Sequence, residues 1–357
     1  MWQAEARPRA RQLRVGLPVP SNERGWGLPG VALLGPGISL RWVGEQSQVE
    51  PAENRQGDLF ALARREAALS YISEHLEATG LRPLLLKGWA VAQYYSSPEA
   101  RGMGDIDLCA EPGLFEATLT TLEKLSGSPS PPRWEIEDRT NIVLISAGAR
   151  HLKVVIDLHR DLGKFRLDID EAFSRARPAL IDGKRAILVP CPEHHLRICA
   201  LHFLGDGGAR RRSLEDVAAI AKAKEGDLDW ELALGENPLV RGWVLCTVRL
   251  AERMVAPELR DIVPNALRNI VIPDWFIDTA ETECRKPWSA SMPRPRLSQT
   301  FRSNPLRLPD EIAARWPNPI RASVDLNRAF DNAPRFPIQV THFLRGAAHY
   351  VSRRLRR

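Results

Sequence analysis

Leu84-Leu-Leu-Lys-Gly-Trp89, with Arg101-Gly-Met-Gly-Asp-Ile-Asp-Leu108 a short distance on, is the stretch whose reading decides the fold. Leu84–Leu86 is an apolar run of strand length, and Lys87-Gly88 ends it in a turn. Asp105 and Asp107 then flank Ile106. A strand alternates its faces with period two, so the two aspartates point one way and Ile106 points into the core. Carboxylates projecting together repel, and that cost is tolerated where a cation sits between them. A strand, a glycine turn and a D-x-D pair on the next strand are what a metal-dependent phosphate-transfer site needs.

A third acid lies further on, in Lys153-Val-Val-Ile-Asp-Leu-His159. Asp157 is a lone carboxylate in a strongly apolar strand. Buried without a partner it would cost several kcal/mol, on the order of the penalty for any uncompensated buried charge, so a partner or a metal is expected. If this strand pairs with the D-x-D strand, three carboxylates meet at one point. His159 shares the face of Asp157. It is placed to orient that acid, to assist proton removal, or to be a satisfied buried histidine.

This layout resembles the polymerase-β nucleotidyltransferase superfamily, and more narrowly its bacterial uncharacterised nucleotidyltransferase family. The resemblance rests on Leu85-Leu86-Lys87-Gly88, on Arg101 with Asp105-Ile106-Asp107-Leu108, and on Asp157-Leu158-His159. It continues through Val189-Pro190-Cys191-Pro192-Glu193, Leu201-His202 and Leu214-Glu215-Asp216-Val217, covering residues 57–250 and more weakly Asn304–Asn327. It implies an α+β (mixed α/β) catalytic domain with a small mixed sheet, followed by a helical domain. There are two departures. The superfamily's Gly-Ser is Gly88-Trp89 here, which removes a phosphate-binding hydroxyl, and an aromatic after Asp-Leu-His is replaced by Arg160.

Composition is that of an ordinary globular protein: 357 residues, 44% hydrophobic and 26% charged, enough for two domains and tails. No apolar run approaches the ~20 residues that span a bilayer, so no membrane span is expected. The N-terminal arginines are not followed by the apolar segment of a secretory signal. Five scattered cysteines form no C-x-x-C, which points away from zinc and redox motifs and towards a reducing cytoplasm. His195 and His202 lie seven apart on one helix but lack a third ligand for zinc. A net charge of +6 and a pI near 9.2 suit an anionic ligand such as an NTP; without a nucleic-acid motif, nucleic acid is an unlikely partner.

Along the chain, residues 1–55 read as a partly flexible N-terminal extension and 56–190 as the catalytic domain. Within the latter, Asp58 to Thr79 is an amphipathic helix stopped by Gly80, Pro112–Leu125 is a second helix, and three strands between Arg133 and Leu158 form an antiparallel meander. Residues 191–260 read as a helical bundle, and 261–357 as a proline-rich wrap ending in a basic terminal helix. That last helix reads as docked with a solvated end rather than as a membrane anchor.

The functional expectations are these. Asp105, Asp107 and Asp157 are the catalytic and metal-binding residues, holding Mg2+ or Mn2+. Lys87, Gly88 and Arg101 contact the nucleotide, with Asp105 as an alternative partner for Arg101. Asp216 is a cap or a hydrogen-bonding link between domains. Arg210-Arg-Arg212 is either a lure for an anionic acceptor or a solvated loop. The activity implied is transfer of an NMP from an NTP to a hydroxyl of an unknown acceptor, whether small molecule, peptide or protein. The alternatives are an antitoxin-type enzyme that modifies a protein, and a non-catalytic nucleotide-binding scaffold.

Overall fold

The computed structural model describes residues 55–355 apart from 103, 126–132, 137–138, 145–153, 182, 287–301 and 314. The expected N-terminal extension up to residue 54, and residues 287–301 of the expected proline-rich wrap, lie outside the described residues.

Helix α1 (Arg55–Ala78) leads in. Leu69, Ile72 and Leu76 recur at helical spacing and are fully buried, and the helix closes where Leu81 N–H donates to the Leu76 carbonyl at 2.9 Å. Strand β1 (Leu84–Leu85) and the short helix α2 (Trp89–Ala92) follow, then β2 (Ile106–Cys109) and α3 (Phe115–Leu125). Next come β3 (Arg133–Ile136), β4 (Arg139–Leu144) and β5 (Val154–His159), paired antiparallel as the expected meander. Helix α4 (Ile169–Ser174) is capped by the Asp168 carboxylate, which accepts from the Glu171 N–H at 2.9 Å. Strands β6 (Arg177–Ile181) and β7 (Arg185–Val189) complete the sheet.

The sheet is seven-stranded and mixed, in the order β3-β4-β5-β2-β1-β7-β6. β2 lies parallel to β5 and antiparallel to β1, while β1 lies parallel to β7. The β6–β7 hairpin extends the sheet beyond the strands expected from sequence. Its signal was present, since Ala179-Leu-Ile and Ala186-Ile-Leu-Val189 flank an Asp-Gly turn.

The pleat sorts side chains between two cores. Leu85, Ile106, Leu108, Ile156 and Leu158 pack with α1 and α3 on one face. Leu84, Leu86 and Cys109 face the helices on the other. Each fully buried leucine contributes roughly 1.5–3 kcal/mol. A one-residue slip of β2 or β5 would exchange those side chains for Asp107 or Asp157, so the register is strongly specified.

The helical layer begins with α5 (Pro192–Gly205), buried along nearly its whole length, with Pro192 where an unpaired N–H would otherwise sit. Around it pack α6 (Arg211–Ala223), α7 (Trp230–Leu234) and α8 (Pro238–Met254). Short α9 (Leu259–Ile262) and α10 (Asn265–Arg268) lead to α11 (Asp274–Arg285). Helix Pro319–Asp325 returns to α5, and the terminal helix Phe336–Leu355 docks on it. His342 pairs with Asp325 at 2.8 Å and Trp316 stacks on Phe336 and Phe343, whereas residues 344–349 are exposed. Among the described residues, no helix is long and apolar enough to cross a membrane.

Candidate functional site

The parallel pairing of β2 with β5 sets Asp107 beside Asp157 and Cys109 beside His159. With period two, Asp107, Asp157 and His159 share the face turned to the helical layer. All three are nearly inaccessible, at 3%, 2% and 0% exposure. One ligand atom from each lies within 4.8 Å of the other two. Lys87 Nζ stands 2.7 Å from Asp107 Oδ1, and His159 Nε2 lies 3.4 Å from the same oxygen. Burial alone would raise the Asp107 pKa, but the Lys87 ammonium and His159 outweigh it and hold this carboxyl well below the usual range. Burial likewise acts to lower the Lys87 pKa, and the charges of Asp107 and Asp105 overcome it, so the ammonium stays protonated.

Asp105 does not join the two buried aspartates. Sequence periodicity placed it on β2, but the strand starts at Ile106, and Asp105 occupies an exposed bend before it. The three-carboxylate convergence expected from sequence is therefore two carboxylates and an imidazole, with Asp105 at the mouth within electrostatic reach of Lys87 and Arg65. The physical reason is that the ladder with β5 begins at Ile106, and pleat parity holds only inside a paired strand. Gly88 turns the chain at φ +63°, ψ −117°, a conformation that side-chain-bearing residues avoid. Trp89 is buried and donates its indole N–H to Glu66 Oε1 at 3.0 Å, tying this turn to α1.

Arg101 pairs neither with Asp105 nor with the buried cluster. Its Nε donates to Asp216 Oδ1 at 3.0 Å, and an Nη donates to Asp216 Oδ2 at 2.7 Å. Tyr95 donates its hydroxyl to Asp216 Oδ1 at 2.7 Å. Asp216 on α6 thus makes the cross-layer link that its sequence position suggested. The Arg212 guanidinium donates to the Arg101 carbonyl, and a Cβ at Gly102 would collide with it. These contacts clamp the loop before Asp105 to the helical layer.

The three arginines near the start of α6 do not act as one patch. Arg210 pairs with Asp206 at 2.7 Å, Arg211 with Glu215 at 3.3 Å and the Met254 carbonyl at 3.0 Å, and Arg212 with the loop just described. Sequence reading also missed Asp206. With His202 (3.5 Å away) and Arg210, it brings the C-terminal end of α5 into the field of Lys87. Burial pushes the His202 pKa down to about 3, with the Lys87 charge acting the same way, so this imidazole is neutral near pH 7. The four-residue spacing of His202, Asp206 and Arg210 was the available signal.

The residues fit a divalent cation. Two nearly inaccessible carboxylates side by side need positive charge between them, and the chain's own Lys87 ammonium stands in for it on one Asp107 oxygen. The donor set of two carboxylates and one imidazole is that of protein metal sites.

A mixed seven-stranded sheet that carries this cluster on the face turned to a helical layer defines an α/β protein. Residues 54–254, more than half of the chain, match the family described as uncharacterised nucleotidyltransferase, and the chain belongs to that family. The match ends before Asn304–Asn327, where the sequence resemblance was weaker. Among solved structures, an antigenic nucleotidyltransferase-like protein from Paracoccidioides brasiliensis is similar at 16% identity with a TM-score of 0.38, over 57% of this chain and 92% of that one. A search of curated proteins finds no match.

Proposed function

We propose that this chain transfers a nucleoside monophosphate from an NTP to a hydroxyl of a small-molecule, peptide or protein acceptor, releasing pyrophosphate. The observation that carries this reading is the in-register placement of Asp107 and Asp157 on parallel strands, buried together beside the Lys87-Gly88 turn. In a polymerase-β-like site of this kind, Asp107 and Asp157 would hold Mg2+ or Mn2+, with Asp105 at the mouth. When bound, such an ion neutralises triphosphate charge and lowers the pKa of the attacking hydroxyl.

The chain's own residues supply the rest. Lys87 carries a positive charge that suits a phosphate oxygen, and Gly88 lets the backbone approach closely. Arg101, expected from sequence as a nucleotide contact, holds the Gly102–Asp105 loop in place through Asp216. Residues 56–190 would form the catalytic domain and 191–260 a helical domain on the acceptor side, where α5 presents His202 and Asp206. Free thiols at all five cysteines support a reducing, cytoplasmic setting.

Calorimetry with each NTP, with and without Mg2+, tests the proposal. Metal-dependent NTP binding is expected for the wild type and its loss for Asp107→Ala; equal affinity in the two proteins sinks the site. Incubating labelled NTP and metal with cell extract then identifies the acceptor.

A further inference from the structure

We infer that His159 is a third protein ligand of the metal site, and that the site consequently takes Mn2+ in preference to Mg2+. This rests on the nucleotidyltransferase reading and goes beyond its aspartate ligands.

The geometry begins with the pleat. β2 and β5 run parallel with Asp107 beside Asp157, and His159 follows Asp157 by two residues, so its ring returns to the same face. Donors bound to one ion at about 2.1 Å lie roughly 3 Å apart when adjacent and roughly 4.2 Å apart when opposite. The Asp107, Asp157 and His159 atoms fall within 4.8 Å of one another, with the imidazole nitrogen 3.4 Å from an Asp107 oxygen. That spread is close to the spacing of donors that share one ion. His159 is fully buried and its ring lies against Phe165, centroids 6.2 Å apart, so the imidazole is held at the cluster.

The donor chemistry selects the ion. Mg2+ prefers oxygen ligands throughout and keeps several waters. Imidazole nitrogen is a softer donor, and first-row transition ions accept it more readily than Mg2+ does. Mn2+ combines that tolerance with the affinity for carboxylate and phosphate oxygen that a nucleotide site requires. Lys87 is the present cation on Asp107 Oδ1; with a metal ion held by the aspartates, its ammonium would be available to a phosphate oxygen.

The test is made on the full-length protein without nucleotide. Mn2+ and Mg2+ are titrated calorimetrically into wild type, His159→Asn and His159→Gln. Pulsed electron paramagnetic resonance of the Mn2+-loaded proteins reads nitrogen coupling to the metal, and circular dichroism confirms that each variant is folded. The expected result is Mn2+ binding at least about tenfold tighter than Mg2+ in wild type, with an imidazole nitrogen signal. In a folded variant the signal disappears and the preference falls to about threefold or less, Mg2+ affinity being little changed. Bound Mn2+ without nitrogen coupling in wild type, a preference unaltered in both variants, or failure of wild type to bind Mn2+ would overturn the inference. NTP binding supported by Mg2+ alongside any of these results leaves the nucleotidyltransferase reading standing, whereas absence of NTP binding with either ion removes that reading separately.

Discussion

Lys87→Met removes the ammonium that neutralises Asp107 while keeping the length of the side chain. The pair sits at 2.7 Å, with only 9% and 4% of the two side chains exposed. At an effective dielectric near 20 the lost attraction is about 6 kcal/mol. Relief of the lysine's own desolvation returns part of this, so the expected loss of stability is about 3–5 kcal/mol, the range for breaking one side of a buried pair. Asp157 stands beside the abandoned carboxylate and adds repulsion. The loss should depend on pH with a definite sign. In the wild type the Asp107 pKa is depressed, so its contribution is present above the usual carboxylate pKa and fades as pH falls through the folded value. In the variant, burial without a counter-charge raises that pKa, so the native protein gains from protonation as pH drops. The gap between the two proteins should therefore be widest near pH 7.5 and close towards pH 4. Urea unfolding of metal-free protein at both pH values measures it. A gap under about 1 kcal/mol at pH 7.5, or one that widens on acidification, would refute the reasoning.

Three other outcomes are expected. Arg101→Ala should lower unfolding free energy by about 3–5 kcal/mol, since it leaves the buried Asp216 carboxylate without its counter-charge and with the Tyr95 hydroxyl still donating to it, and Arg101→Lys should recover only part of this for want of the guanidinium fork; a chemical melt matching wild type for Arg101→Ala would show that the clamp is idle. His194 and His195 are fully buried, and burial depresses their pKa values to about 4 and about 3, so unfolding takes up protons below about pH 6.5. Stability should be flat above that pH and fall by about 2 kcal/mol per histidine between pH 7.5 and 5, and His194→Gln should remove one such share from the pH slope; an unaltered slope counts against the assignment. Asp157→Asn, which keeps size but removes charge, should leave the circular dichroism spectrum unchanged and abolish nucleotidyl transfer, and normal turnover in that variant would exclude Asp157 from the site.

Most of the elements and their buried faces follow from local periodicity. Leu69, Ile72 and Leu76 specify α1 through spacing, and Leu84 to Leu86 and Asp105 to Ala110 read as strands. Asp105, Asp107 and Asp157 read from sequence as one group, because a carboxylate amid apolar residues demands compensation; the structure brings Asp107 and Asp157 together. The β6–β7 hairpin has a sequence signal too, an Asp-Gly dipeptide between two apolar runs. Tertiary structure decided the rest. Where β2 begins depends on its ladder with β1 and β5, and that start left Asp105 exposed while Asp107 is buried. Arg101 finds Asp216 across 115 residues, and Lys87 closes on Asp107 across a chain reversal. Which charges meet depends on distance and on the exclusion of water, and both arise only when the helical layer closes over the sheet.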